Sequence, residues 1–389
     1  MENAFDLNLR HIHAISMIAK LGRINLAADR LGITQPALTQ ALGKTELQLG
    51  TLLFTRNASG MTPTEALQTL LPRFDAAWQH IGLKAISMAT VRALASVSTY
   101  GSYTAASKAI GLSEPSLHRA VQNLSLNLNT SLVSRQGRGI MLTPAGHRFA
   151  RRFRLAISEL EAGLSDLETL KGQSVGRIVI GAMPLSRATV LPQAVSAFCK
   201  IHPHLEIAII EGSYRELIEL LRNGELDIMI GALRNKAQEP DIFQSPLFND
   251  RPSVIARAGH PLAGTDPTIE GLSQFDWIMA AKGTPLRENW EAMFQAAKFR
   301  RPAIAVQCGS VIAMRQILVD TNFLALMSPE QIELELKAGV LVELRPLGDE
   351  FVRSIGLSTR AGWQMSGLQA AFCEQLRQSA QLHQIPELA

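Results

Sequence analysis

Two heptapeptides in this 389-residue chain carry side chains of the types that read DNA bases: TQPALTQ at residues 34–40 and SEPSLHR at residues 113–119. Gln pairs with adenine through two hydrogen bonds, Arg pairs with guanine, and Glu accepts a hydrogen bond from cytosine. A leading Thr or Ser is a natural helix N-cap, and the Pro two residues later suits a first helical turn. Each heptapeptide therefore predicts the start of a helix that presents polar side chains to a DNA major groove.

The candidate DNA-contacting residues are the exposed positions of these two helices and the arginines that follow them. On the helix that TQPALTQ begins, and just beyond it, they are Thr34, Gln35, Ala37, Thr39, Gln40, Lys44 and Arg56. On the helix that SEPSLHR begins, and just beyond it, they are Ser113, Glu114, Ser116, His118, Arg119, Asn123, Arg135 and Arg138. The second set carries more arginine, but its Glu114 repels phosphate where the first set has the neutral Gln35.

The two heptapeptides belong to a longer repeat, in which residues 9–66 align with residues 88–145 without a gap, at an offset of 79. Fifteen of the 58 aligned pairs are identical, whereas about four are expected by chance for this composition. Each copy predicts a helix, a short helix closed by Gly, the helix of the heptapeptide, and a hairpin of two short strands. This pattern indicates a winged helix-turn-helix, so the chain carries that domain twice.

Positive charge is concentrated in the second copy. Residues 88–155 contain nine basic residues and one acidic residue, a net charge of +8, whereas residues 1–87 carry +2 and residues 156–389 carry −6. A basic segment of this kind is typical of a domain that binds a polyanion. We therefore expect double-stranded DNA as a partner, with the second copy providing most of the salt-dependent affinity.

The residues leave open which copies touch DNA: both, the second alone, or the first alone. In the second case the first copy serves in packing, in dimer contacts or as a protein-interaction module. Its low charge and the polar Thr45, which interrupts the apolar stripe of its third helix, are compatible with that alternative. If both copies read DNA, the operator should be longer than one that a single-copy protein needs.

A long linker helix is predicted at residues 146–172, after a shorter connecting helix within residues 67–87. Apolar residues recur along the linker helix at steps of three and four, which indicates a helix that pairs with its own copy in a dimer. They are Phe149, Phe153, Ala156, Leu160, Leu164, Leu167 and Leu170.

From residue 176 to residue 389, short apolar runs alternate with helical segments, which predicts parallel α/β sheets in two lobes. Ligands of such sheets bind at the carboxyl ends of the strands, against helix N-termini. The candidate effector-binding residues at these places are Ser186, Arg187, Ser213, Tyr214, Thr284, Arg287 and Ser310. The simpler alternative is that Ser213, Thr284 and Ser310 only cap helices.

These motifs together resemble those of LysR-type transcriptional regulators. The family's recognition phrase, about S-Q-P-A-L-S-x-x-I, stands here as TQPALTQAL and SEPSLHRAV, and its A-A-x-x-L stands as AADRL and ASKAI. The wing pattern stands as RNASGMTPTEAL and RQGRGIMLTPAG. An ordinary member has one such domain. The resemblance identifies the linker helix with the family's dimerisation helix, and it implies a homodimer or homotetramer.

The resemblance also implies an α+β multidomain protein whose two-lobed domain, of periplasmic-binding-protein type, holds a small-molecule effector. GAMPLSR, WIMAAKGTP and LMSPEQIELE are similar to the subgroup that contains regulators of galactose-binding protein, which implies a sugar or sugar acid. Arg187 and Arg287 favour an organic acid. Of the two copies, the second occupies the family's usual place, directly before the linker helix.

Several classes of protein are excluded by what the sequence lacks. It has no glycine-rich phosphate loop, nucleophile elbow or metal-ligand spacing, so neither an enzyme nor a cofactor is expected. It has no apolar run of about 20 residues and no signal-peptide pattern, so we expect a cytoplasmic protein without a membrane partner. Cys199, Cys308 and Cys373 are sparse and lie in apolar surroundings, which favours reduced, buried thiols.

Overall fold

The computed structural model describes residues 3–57, 60–83, 86–136, 139–234 and 239–381. The first copy of the repeat comprises α1 (Leu9–Leu21), α2 (Ile24–Leu31), α3 (Gln35–Leu49) and the antiparallel strands β1 (Phe54–Asn57) and β2 (Gly60–Pro63). After α4 (Glu65–Ile81), the second copy comprises α5 (Met88–Tyr100), α6 (Tyr103–Ile110), α7 (Glu114–Asn127), β3 (Val133–Gln136) and β4 (Gly139–Leu142). The helix α8 (Pro144–Leu170) follows.

The same local signals start the third helix in both copies. Thr34 and Ser113 each accept a hydrogen bond, 3.4 Å long, from the backbone N–H three residues later. The preceding helices end at Gly32 and Gly111, whose φ angles of 67° and 71° lie in the left-handed region that favours glycine. The repeat is therefore reproduced at the level of backbone geometry, and α3 and α7 are equivalent helices.

The long helix α8 packs along α4 of the same chain. Arg73 of α4 contacts Glu159 of α8, and Arg152 of α8 donates a hydrogen bond to the backbone carbonyl of His80 in α4. Because later residues of α4 meet earlier residues of α8, the two helices are antiparallel. Gly163 permits the close approach, since a Cβ there would lie 3.0 Å from the Cβ of Arg73.

The apolar stripe of α8 is therefore covered within the chain. Phe153, Ala156, Leu160, Leu164 and Leu167 are buried in one core with residues of α4 and of both winged domains. The prediction that this stripe pairs α8 with its own copy in a dimer is wrong, because α4 already occupies it. The ends of the predicted stripe behave differently: Phe149 is half-buried and Leu170 is exposed.

The second half of the chain forms two lobes, each built on a five-stranded sheet. The strands are β5 (Gly176–Ala182), β6 (Leu205–Glu211), β7 (Ile228–Ala232), β8 (Ile242–Asp250), β9 (Ser253–Arg257), β10 (Trp277–Met279), β11 (Ile304–Gln307), β12 (Leu324–Met327), β13 (Leu341–Pro346) and β14 (Arg353–Arg360). The helices are α9 (Val190–Ile201), α10 (Tyr214–Arg222), α11 (Ile269–Ser273), α12 (Pro285–Ala296), α13 (Val311–Asp320), α14 (Glu333–Lys337) and α15 (Gly367–Gln381).

The strand order is β6-β5-β7-β14-β8 in the first lobe and β11-β10-β12-β9-β13 in the second. The chain crosses between the lobes twice, from β8 to β9 and from β13 to β14. These four strands pair antiparallel to their neighbours, whereas β5 pairs parallel with β6 and β7, and β10 pairs parallel with β11 and β12. The predicted α+β architecture of two winged helix-turn-helix domains and a two-lobed α/β domain is confirmed.

The three thiols occupy different environments. Cys373 is buried, Cys308 is half-buried and Cys199 is exposed, and all three are free. The prediction of burial is therefore wrong for Cys199, because α9 packs through Leu191, Ala194 and Phe198 and the next position turns outward. Among the described residues, no helix is long and apolar enough to cross a membrane.

Candidate DNA-binding surface and effector cleft

The first copy presents a polar concave surface between α3 and its wing. A groove of about 530 Å³ is lined by Arg23 and Asn25 at the start of α2, by Gln35 and Thr39 of α3, and by Arg56 of the wing, together with Ile24, Asn57, Gly60 and Met61. Every candidate residue of this copy is exposed, including Thr34, Ala37, Gln40 and Lys44. The surface combines two cations with side chains that both donate and accept hydrogen bonds.

The polar Thr45 of the first copy does not weaken that domain. Its side chain is buried and donates a hydrogen bond of 3.0 Å to the carbonyl of Ala41, one turn earlier in α3. The hydroxyl is thus satisfied inside the helix, at the position where the second copy has Leu124. The polar residue is therefore accommodated in the core of the first copy, and its recognition helix remains exposed.

The second copy exposes its candidate residues in the same way, but with different chemistry. Ser113, Ser116, Asn123 and Arg135 are exposed. Glu114 accepts a hydrogen bond of 3.0 Å from Thr104, and the ring of His118 lies 5.3 Å from that of Tyr103.

Two arginines complete the second copy's candidate set. Arg119 is exposed and has no hydrogen-bond or ion-pair partner among the described residues, so its guanidinium is available to a base or phosphate. Arg138 lies outside the described residues.

Part of the positive charge of residues 88–155 is used inside the protein. Arg92 donates to the carbonyl of Ile110 and lies over the ring of Phe5. Arg152 bonds the backbone of α4, and Arg154 donates to Ser98 and to the carbonyl of Asn223 in the first lobe. These arginines join domains, so the net charge of this segment overstates the charge that faces DNA.

Most predicted effector-binding residues are committed to contacts within their own lobe. Ser186 is 1% exposed and its hydroxyl lies 2.8 Å from the carbonyl of Met183, so it is used inside the first lobe. Arg287 is buried and pairs at 2.7 Å with Glu291 on its own helix, so the prediction that it binds an acidic effector conflicts with this pairing. The side chain of Arg187 lies outside what the structure describes.

The remaining predicted residues lie at helix starts. Ser213 forms a capping box with Glu216 at the start of α10, and Ser310 accepts a hydrogen bond from the backbone of α13. Thr284 precedes α12 and donates to the carbonyl of Ala281. Tyr214 contacts Arg234, whose guanidinium lies 4.7 Å from the centre of its ring, and forms a side-chain hydrogen bond with Glu239.

The charged groups between the lobes are ones that the sequence argument missed. Arg234 lies two residues after β7, and burial lowers the pKa of its guanidinium, which interacts with Glu288 of the second lobe. On the crossing strands, Arg353 donates to the buried Asp250 at 2.5 Å. Arg234 could have been found from sequence, since it lies at the carboxyl end of a strand, as the other candidates do.

A second contact joins the lobes at Glu330, which follows β12. Thr189 of the first lobe donates a hydrogen bond of 3.4 Å to its carboxyl group. Burial, and then the nearby charge of Asp250, raise the pKa of Glu330 to about 7. The protonation of this carboxyl group therefore changes within the physiological pH range.

The raised pKa of Glu330 predicts a pH dependence of stability. The folded state keeps this proton up to about pH 7, whereas the unfolded chain loses it near pH 4.5, so the free energy of unfolding falls as the pH rises through this window. Glu330→Gln should remove the fall and stabilise the protein above pH 7 by about 1–2 kcal/mol, a value reduced for partial solvent screening. Urea unfolding at several pH values checks this.

The control is Glu374→Gln, which changes an exposed glutamate and should leave the pH profile of the free energy of unfolding unchanged. Parallel profiles for Glu330→Gln and wild type would contradict the raised pKa of Glu330.

Comparisons with known proteins agree with this architecture. The LysR substrate binding domain matches residues 171–381, and the bacterial regulatory helix-turn-helix protein, lysR family, matches twice, at residues 9–66 and 88–147. The chain belongs to the LysR family. It is a LysR-type transcriptional regulator with helix-turn-helix DNA-binding domains and an effector-binding domain.

Individual relatives carry regulatory names. HTH-type transcriptional regulator GalR of Pseudomonas putida is 29% identical over 95% of this chain and 97% of its own length, so the alignment includes both winged domains. HTH-type transcriptional regulator GbpR of Rhizobium radiobacter is 27% identical over 63% of this chain and 82% of its own length.

Among solved structures, full-length OxyR from Pseudomonas aeruginosa has a TM-score of 0.59 at 21% identity, covering 77% of this chain and 96% of that chain. CbnR, a LysR family transcriptional regulator, has a TM-score of 0.52 at 18% identity, covering 75% and 98%. These likenesses concern the fold. The names of the sequence relatives indicate a regulatory, non-enzymatic role.

Proposed function

We propose that both winged domains contact DNA and that a small effector in the interlobe cleft adjusts this binding. The observation that carries the first part is the polar groove of the first copy, in which Gln35, Thr39 and Arg56 lie together. The family match over residues 9–66 also makes the alternative, a first copy that only binds proteins, less favoured. We also propose that the protein acts in the cytoplasm, where its DNA would be accessible.

Paired substitutions in the two recognition helices test this proposal. Gln35→Ala with Gln40→Ala, and Arg119→Ala with Arg135→Ala, should each weaken binding to the protein's own upstream DNA by about 10- to 100-fold, because each removes base or phosphate contacts. Only the arginine pair should also lower the salt dependence, since it removes phosphate contacts.

Binding isotherms at several salt concentrations provide the measurement. Arg377→Ala on α15 is the control for loss of a positive charge, because that residue is exposed and lies far along the chain from both wings. Unchanged affinity of the glutamine pair would show that the first copy does not read DNA.

We infer that the effector is an organic acid. This rests on Arg234 and Arg353, two cations that lie on the cleft side of the first lobe and at the crossing strands. The guanidinium of Arg234 lies over the ring of Tyr214 and interacts with Glu288 of the second lobe, and one buried nitrogen of Arg353, Nη2, has no hydrogen-bond partner among the described residues. A carboxylate between the lobes would accept a hydrogen bond from Arg353 Nη2 and pair with the charge of Arg234.

Arg234→Gln should abolish binding of the effector while leaving basal DNA affinity within about twofold, because Arg234 is remote from both recognition helices in the chain. Thermal-shift measurements with a panel of small organic acids and neutral sugars provide the test. Arg257→Gln is the matched control, since that arginine bonds Asn322 on the exposed side of the second lobe. A shift produced by sugars alone, retained in Arg234→Gln, would contradict an acidic effector.

Signal transfer requires that the lobes contact the DNA-binding half, and buried groups make such contacts. Arg73 of α4 donates to the carbonyls of Gln364 and Met365, just before α15 in the first lobe. An effector that prefers one arrangement of the lobes would then shift the arrangement of α4 and α8. We propose that any homodimer or homotetramer forms through a surface other than the stripe of α8.

A further inference from the structure

Two contacts between α4 and α8 involve residues that occupy equivalent positions in the two copies of the repeat. At the offset of 79, Arg73 corresponds to Arg152, and His80 corresponds to Glu159. Arg73 contacts Glu159, and Arg152 contacts the backbone of His80. The second contact is therefore the first with the two copies exchanged, which is the signature of a twofold relation between equivalent surfaces.

The buried residues of the two helices obey the same relation. Phe74 and Phe153 are equivalent and are 1% and 0% exposed, and Ala77 and Ala156 are equivalent and are 1% and 0% exposed. An interface that uses the same patch on both sides is isologous, as in a twofold dimer. Here the two halves of that interface belong to one chain.

The N-terminal segments extend this relation. Leu7 precedes α1 and Ile86 precedes α5 at equivalent positions, and both are buried in the shared core. With the stripe of α8 covered and both copies in one core, the DNA-binding half is complete without a second chain. Because the copies are related by a twofold rotation, so are α3 and α7, which suits two half-sites of DNA.

We infer that each chain is a fused dimer of two winged helix-turn-helix domains that recognises an operator with two unlike half-sites. This inference rests on the proposed function. An ordinary twofold dimer presents identical helices and favours a palindrome, whereas this chain presents Gln35, Thr39 and Gln40 on one side. On the other side the equivalent positions are Glu114, His118 and Arg119, which have different base preferences.

Selection of binding sequences from a randomised duplex pool by the full-length protein tests the inference. Wild type should select two unlike half-sites about one helical turn apart. The variant carrying Glu114→Gln, Ser116→Ala, His118→Thr, Arg119→Gln and Asn123→Lys gives α7 the exposed side chains of α3. It should select an inverted repeat of one half-site, and it should prefer that repeat over the wild-type operator by about tenfold or more.

The reciprocal variant changes the recognition helix of the first copy and should alter the opposite half-site. It carries Gln35→Glu, Thr39→His, Gln40→Arg and Lys44→Asn, and it provides an independent test if the first variant does not fold. All of these positions are exposed, so the core is left intact. Selection of a perfect inverted repeat by wild type would overturn the inference while leaving DNA binding by both copies in place. Selection of a single half-site would also contradict the proposal that both copies contact DNA. Selection of no sequence at all would overturn the proposed function itself, and with it this inference.

Discussion

Replacing Arg73 by Met is expected to lower the free energy of unfolding by about 3–5 kcal/mol, because the buried carboxylate of Glu159 and the half-buried carboxylate of Asp166 lose their counter-charge. The Arg73 side chain is 5% exposed, and those of Glu159 and Asp166 are 8% and 16% exposed. The guanidinium lies 3.0 Å from the first carboxylate and 3.2 Å from the second. Met keeps the aliphatic stem, so the change tests charge more than volume.

Chemical unfolding of the full chain measures this effect, and an exposed ion pair between α1 and α4 supplies the control. Lys20→Met breaks a contact with Asp75 in which the lysine side chain is 53% exposed, and should cost no more than about 1 kcal/mol. Arg73→Met combined with Glu159→Gln should recover part of the lost free energy of unfolding, since one of the two unpaired carboxylates is removed. Equal, small effects of Arg73→Met and Lys20→Met would contradict the assignment of Arg73 as a buried junction.

Truncating either of two equivalent phenylalanines is expected to destabilise both winged domains together. Phe74→Ala and Phe153→Ala each remove a side chain from the core that α1, α4, α5 and α8 share, at a cost of about 3–5 kcal/mol. Because that core is continuous, the loss should appear equally in α3 and in α7. Hydrogen exchange followed by mass spectrometry resolves the two helices in the same sample.

The repeat also supplies equivalent controls. Leu47 and Leu126 occupy matching positions and are 85% and 71% exposed, so truncating either to Ala should change stability by less than about 0.5 kcal/mol. If Phe74→Ala accelerated exchange only in the first copy, the two domains would be independent units, and the fused arrangement would be wrong.

Much of the DNA-binding half could be predicted because its signals are local. Capping by Thr34 and Ser113, the glycine turns and the exposure of the polar positions depend on residues within one or two turns. Because the repeat has no gaps, each of these local signals occurs at equivalent positions in both copies. The apolar stripe of α8 likewise showed that this face is buried.

The partner of that stripe could not be predicted, because periodicity identifies a face that is covered and not the surface that covers it. The family resemblance favoured a second chain, whereas α4 of the same chain fills the role. The net charge of residues 88–155 overstates the charge that faces DNA for the same reason. The sequence does not distinguish Arg152, which donates a hydrogen bond to the backbone of α4, from Arg119, which is exposed.

The effector cleft was the least predictable part. Rules for strand ends selected Tyr214 but missed its neighbour Arg234, and they also selected Ser186, whose hydroxyl is buried against backbone carbonyls. The crossing strands β8 and β14 bring Asp250 and Arg353 together across about 100 residues of sequence, a separation over which no local pattern operates.

The central claim, that one chain holds two DNA readers, is tested most directly by cleavage of bound DNA from a tethered iron chelate. Ala37→Cys and Ser116→Cys place the chelate at equivalent exposed positions of α3 and α7, in a chain whose native cysteines are replaced by Ser. Two cleavage centres, one from each position and about 10 base pairs apart, are the predicted result. Cleavage from position 116 with none from position 37 would contradict the claim.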